Sequence, residues 1–190
     1  EQVMEQASKT ASSSIEHALE YWTETWVIHV SNPTVHQAIK QSNEAWDSID
    51  SRTALIEERD AEWTSDEVQK NQNYPSWINE LLTNELSGEF SRIMSNYNTE
   101  HGSQDIAEII VTNKYGVNVA VTGLTTDYYQ ADESWWQKAV DHRTYVSDLV
   151  FDESLGMEGV EIGIKIEDNN GQLIGVIKVV LRTDFLFIHV

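Results

Sequence analysis

The residues best suited to metal binding or proton transfer are six histidines, at positions 17, 29, 36, 101, 142 and 189, and they are scattered. None stands in the HExxH spacing that would bring two imidazoles onto one helix face beside a general base, so zinc hydrolase chemistry has no frame here. The chain contains no cysteine, which removes thiol nucleophiles, disulfides and zinc-thiolate sites. It also lacks a GxSxG elbow, a Walker loop and a GxGxxG turn. Carboxylates are abundant, but Asp132-Glu133 and Asp152-Glu153 are sequence neighbours, and in regular structure such neighbours point apart. They cannot flank one scissile bond, and read instead as solvated charge or as helix N-terminal residues. No DxDxDG calcium loop occurs. The expectation is a non-catalytic chain with no cofactor and no built metal site.

A different chemistry is open to the aromatics Tyr128, Tyr129, Trp135, Trp136 and Tyr145. Such residues line small-molecule pockets, which are mostly apolar with a few placed polar groups, and they equally well fill a core. Charge narrows the partners. With 12 Lys and Arg against 32 Asp and Glu the formal net charge is -20, a field that repels a phosphate backbone, so no nucleic acid is expected. With 40% hydrophobic residues and seven tryptophans, the 190 residues still suffice for a core. No run of about 18 apolar residues is present, so no segment should span a bilayer. The start at Glu1, already in helical pattern, and the apolar end Phe185 to Val190 point to a piece of a longer protein.

The elements that must position these residues follow from hydrophobic period. Val3, Ile15, Leu19, Trp22, Trp26 and Val30 recur at near-helical spacing without Gly or Pro, predicting one long helix over 1 to about 31, thinly apolar at first and packed from Trp22. Asn32-Pro33 ends it and starts a second helix to Asp47. Residues 50–72 are charged, with an exposed helical stretch over 52–63, and a helical stripe follows from Trp77 to Tyr97. From Ile106 the period changes to two. Strands are predicted at 106–112, 117–121, 145–151, 160–167 and 173–181, with a short helix at 133–140 between the second and third. Asn169-Asn170-Gly171 should supply the positive φ angles of the last hairpin. The fold class is therefore α+β: a long N-terminal helix and helical segments, then an antiparallel sheet of about five strands.

The run Asn113-Lys114-Tyr115-Gly116, Asp127-Tyr128-Tyr129, Asp132-Glu133, Trp135-Trp136-Gln137-Lys138-Ala139 and Asp168-Asn169-Asn170-Gly171-Gln172-Leu173-Ile174-Gly175-Val176 resembles the Cache family, the PAS-like extracellular sensor domains of prokaryotic histidine kinases and chemoreceptors. The resemblance covers about residues 105–181. It implies a stalk helix and helical segment over 1–104 and a PAS-like sensor lobe over 105–190, together one sensor domain outside the membrane. It further implies a small-molecule ligand, homodimerisation in the full receptor and membrane attachment through flanking segments. The pocket would lie between the sheet and the segment bearing the Tyr and Trp residues, and its ligand-contacting tryptophan corresponds to Trp135, leaving Trp136 a structural role.

The expected site residues are Tyr129, Trp135, Tyr145, Asp148 and Lys165. Lys165 falls opposite Ile162, Ile164 and Ile166 by period two, and so faces either pocket or solvent. The family's amino-acid clamp, an Arg two residues before the first Trp and an Asp in the last strand, is absent: those positions hold Glu133 and, without gaps, Val180. The resemblance therefore does not extend to recognition of an α-amino acid by that clamp.

Overall fold

The computed structural model describes residues 2–100, 105–152 and 156–182. Gly102 in the expected joint, His101, Glu153, His189 and the apolar end Phe185 to Val190 lie outside them. The order of elements is α1 (Gln2–Val30), α2 (Pro33–Asp47), α3 (Arg52–Trp63), α4 (Asp66–Gln69), α5 (Ser76–Thr83), α6 (Glu85–Glu100), β1 (Ile106–Asn113), β2 (Asn118–Val121), α7 (Ser134–His142), β3 (Thr144–Asp152), β4 (Met157–Glu167) and β5 (Leu173–Arg182). The strands form one antiparallel sheet in the order β2-β1-β5-β4-β3.

Helix α1 buries Trp22, Trp26 and Val30 against the sheet, joined by Val35 and Ile39 of α2 and Leu86 and Phe90 of α6. The sheet answers with Ile162, Ile164 and Ile166 of β4 and Ile177, Val179 and Leu181 of β5, the alternate residues of each strand. On the opposite face Ile110 of β1 and Val121 of β2 pack under Trp46, Trp63, Val68 and Ile78. The rest of that face is covered by α7 through Trp135 and Ala139.

Three local departures from the sequence reading have clear causes. The stripe from Trp77 to Tyr97 is two helices, because Asn84 is extended, accepts from the Ser87 N–H at 2.9 Å and donates to the Val119 carbonyl at 2.9 Å. The 52–63 stretch is not merely exposed: Trp63 is fully buried and donates to the Thr125 carbonyl at 2.7 Å. In the last hairpin only Gly171 has positive φ (76°). Asp168 Oδ1 accepts the N–H groups of Asn170 (2.8 Å) and Gln172 (2.9 Å), so an Asx turn spares Asn170 the left-handed conformation. The β1–β2 turn repeats the device: Asn113 Oδ1 takes the N–H groups of Tyr115 and Val117, and Gly116 has φ 80°.

Gly175 is where β5 comes closest to its neighbours. A Cβ there would stand 2.2 Å from the Thr112 carbonyl oxygen and 3.1 Å from Ile39 Cγ2, so β1 and α2 can approach only a hydrogen. Gly175→Ala is expected to cost about 1–3 kcal/mol in urea denaturation, as overpacking of a filled interior does. Gly123→Ala, which meets open space, should cost less than half as much.

Candidate functional site

The site begins with how residues 125–133 are held. The Asp127 carbonyl accepts three hydrogen bonds, from Thr125 Oγ1 (2.6 Å), Gln130 Nε2 (2.6 Å) and Asn118 Nδ2 (3.1 Å). Asp60 on α3 accepts the N–H groups of Tyr128 and Tyr129, each at 3.0 Å. Tyr129 bridges to Val117, and Gln130 donates its N–H to Gly116 at 2.7 Å, so the segment runs beside β2 as a short extra strand. Gly116 permits this, since a Cβ would lie 2.3 Å from that of Ala131. The chain then turns at Glu133 into α7, which lies directly on β4 at Gly163; a Cβ there would be 3.0 Å from Ala139 Cβ.

Because α7 spans only nine residues, it leaves part of its sheet face open, and a cavity of about 450 Å³ remains between that face and the segment. Its floor is Glu108 and Ile110 of β1, Lys178 of β5 and Glu161 of β4; Thr125, Thr126, Asp127, Gln130, Glu133 and Trp135 form the wall, and Phe151 of β3 stands at the rim, 64% exposed. The register explains the floor. Glu108 and Glu161 are both paired with Val180, and Ile110 and Gly163 with Lys178, so all of these residues share one face in two adjacent rows.

Lys178 is 7% exposed and Glu108 3%. The Lys178 ammonium lies 3.3 Å from Glu108 Oε2, 3.6 Å from Glu161 Oε1 and 5.5 Å from the centre of the Trp135 ring. A buried lysine is tolerated on these terms: its charge is matched on both neighbouring strands and it faces an indole. Glu133 is half-buried at the cavity wall. Burial pushes its carboxyl above the ordinary carboxylate range, Asp127 and Asp132 add to the effect, and the Lys178 ammonium opposes it. Among the described residues no group of three or more His, Cys, Asp or Glu is arranged to hold a metal ion.

Of the five expected site residues, Trp135 alone lines this cavity. Tyr129 packs with the Trp46 and Trp63 cluster. Tyr145 packs beside Trp135, and its hydroxyl and ring receive Lys138, at 3.2 Å and 4.6 Å. Asp148 is exposed: three residues from Tyr145, it falls on the other face by period two, and at the bulge between Val146 and Leu149 it is Ser147 that is buried and accepts the Glu161 N–H at 2.8 Å. Lys165 lies on the α7 side of the sheet, as period two requires, but pairs with Glu167 at 3.1 Å along a separate groove of about 700 Å³ beside His36, His142 and Arg143. The cavity's second wall is thus Lys178, Glu161 and Glu108 rather than Tyr145 and Asp148. Glu108 and Lys178, unremarked in the sequence, were reachable by the same alternation that placed Lys165, since each interrupts a β-branched run. Trp136 is half-buried and donates to Thr112 Oγ1 at 2.9 Å, away from the cavity.

No protein-family model matches the sequence, and no curated protein matches it. Several solved structures are similar in shape. The sensory domain of the Campylobacter jejuni chemoreceptor Tlp3 with isoleucine bound aligns over 93% of this chain and 64% of its own, with 17% identity and a TM-score of 0.41. The ligand-binding domain of the Pseudomonas aeruginosa PAO1 amino-acid chemoreceptor PctC in complex with GABA aligns over 88% and 65%, with 17% identity and a TM-score of 0.39. The Escherichia coli DcuS sensor domain aligns over 73% and 96%, with 14% identity and a TM-score of 0.40. The chain spans less than two thirds of the Tlp3 and PctC chains it matches.

The raised pKa of Glu133 has a stability consequence with a definite sign. Between the ordinary value of 4.5 and its higher folded value, the native state holds more of this proton than the unfolded chain, so Glu133 makes stability fall as pH rises through that window. Glu133→Gln is therefore expected to be more stable than wild type at pH 7 and to lose that advantage by pH 4. Paired urea denaturations at the two pH values measure the difference.

Proposed function

We propose that this chain is the extracytoplasmic ligand-sensing domain of a membrane-anchored signalling protein, a sensor histidine kinase in the first instance and a chemoreceptor as the alternative, and that it carries no catalysis of its own. The observation that supports this most directly is the cavity of about 450 Å³ between the sheet and residues 125–135, of a size for a small solute. It has an indole wall and a few buried charged groups, while α1 packs on the other side of β4. The residues that resemble the Cache family, Asp127 to Ala139, build one side of it. Among the described residues no helix is long and apolar enough to cross a membrane, so attachment rests on flanking segments. Sensing then works by population shift: a solute that binds one packing of α7 on the sheet more tightly biases the position of α1.

A second reading, a ligand-free dimerisation or docking ectodomain, has support in edge strand β3, where Val146, Leu149 and Phe151 are exposed. The two readings separate in a thermal-shift screen against a broad solute library. The sensor reading expects at least one solute to raise Tm, and expects Trp135→Ala to abolish that rise relative to its own baseline. Trp136→Ala, half-buried and outside the cavity, should keep the rise while costing about 1–3 kcal/mol, less than a fully buried tryptophan would. A rise that survives Trp135→Ala overturns the assignment of the cavity.

We propose dimerisation in the full receptor through α1, a reading that exposed Tyr21 and Ile28, one heptad apart, support. So small a seam does not offset the entropy of association, and the isolated chain should sediment as a monomer at micromolar concentration. A tight dimer that persists when Tyr21 and Ile28 are both changed to serine would overturn the role of α1.

A further inference from the structure

We propose that the cavity is selective for a small organic cation, an alkyl amine or quaternary ammonium carrying no carboxylate. This rests on the sensor reading and adds the ligand class to it. The cavity already contains one alkylammonium group, that of Lys178, held between Glu108 and Glu161 and facing the Trp135 ring. The protein's own lysine thus shows which chemistry these walls accommodate: two carboxylates and an indole around a cation.

Charge balance decides between ligand classes. Among the described residues Lys178 is the one basic residue lining the cavity, against Glu108, Asp127, Glu133 and Glu161. The lining therefore carries more carboxylates than cations, and its ammonium is already held between Glu108 and Glu161. An anionic or zwitterionic ligand would bring one more into that field with only an already paired ammonium to receive it, at a desolvation cost no contact repays. Glu133 is half-buried at the wall between Asp127 and Trp135, and the Lys178 ammonium acts on it from a distance. An incoming ammonium there gains a carboxylate and an aromatic face together. The position where the family clamp would hold an Arg thus presents the opposite charge. The Asp absent at Val180 is replaced, in register, by a carboxylate on each adjacent strand.

The test is isothermal titration calorimetry of the 190-residue chain at pH 7.5 with putrescine and choline, against succinate, L-isoleucine and glycine betaine. Putrescine or choline should bind at least roughly tenfold more tightly than the three carboxylates, and should weaken by about that factor between 20 and 500 mM NaCl. With a net charge of -20 a cation can also condense on the surface without a site, so three variants separate the cases. Glu133→Gln and Trp135→Ala should each remove binding, the second without any change in charge. The paired change Glu57→Gln and Glu58→Gln on the exposed side of α3 should leave it intact, and thermal melts verify that each variant is folded. Amine binding that survives Trp135→Ala, or is lost equally with the α3 changes, overturns the proposal. Tighter binding of succinate or isoleucine, lost in Trp135→Ala, overturns the cation class and leaves the sensor reading standing. If these probes and the broad library all fail to bind, both fall.

Discussion

Strand β5 is buried along eight consecutive residues, Ile174 to Leu181, and a lysine stands among them. Most of the architecture answers that constraint. An antiparallel strand buried on both faces needs cover on each, and the cover differs: α1, α2 and α6 lie over Ile177, Val179 and Leu181, while α7 and residues 125–133 lie over Val176 and Lys178. An ammonium at the centre of a sheet costs several kcal/mol unless it is paired, and the flanking strands offer positions close to it. Glu108 and Glu161 occupy them. The charged row is therefore a requirement of the strand's own sequence, and the cavity above it exists because α7 is too short to cover it.

The same constraint accounts for the wall. A loop passing over buried charge must keep its own backbone satisfied, and residues 125–130 do so through three donors converging on the Asp127 carbonyl and through Asp60 reaching over from α3. A wall so tied gives a ligand a preformed surface at little ordering cost. It also explains why Tyr128 and Tyr129, adjacent to the cavity in sequence, are absent from it: their backbones are pinned to α3, which commits Tyr128 to the Trp63 and Trp77 cluster and leaves Asp127 and Gln130 to face inward.

Element types were largely legible, because Trp22, Trp26 and Val30 carry a helical period and Ile162, Ile164 and Ile166 a strand period that burial then enforces; the strand order β2-β1-β5-β4-β3 was not, since pairing is long-range. The site was only partly legible. Trp135 follows from its place in the motif, whereas Asp148 was misplaced against the alternation itself: three residues from Tyr145 on one strand, it belongs to the other face. Lys165 and Lys178 look alike in sequence, each flanked by β-branched residues. What separates them is which strand pairs beside them: Lys165 meets Glu167 on its own strand, whereas Lys178 meets carboxylates on two others. That distinction is long-range register, which one-dimensional spacing does not contain.

The arrangement also bears on how the two faces communicate. Helix α7 and helix α1 both pack on β4, from opposite sides. Contact under α7 is close, with Gly163 leaving no side chain to absorb a shift and Ala139 and Trp135 resting on the strand itself. Trp135 belongs at once to α7 and to the cavity wall, so any change in its position would move α7 against β4 rather than merely rotate a surface side chain. Close-packed interiors respond to such a push by moving as units. On the far side Ile162 and Ile164 present β4 to Trp22 and Trp26, the most deeply buried residues of α1. From the cavity wall to α1 there are two contacts, Trp135 to β4 and β4 to α1, and each is made by residues whose types are set by burial.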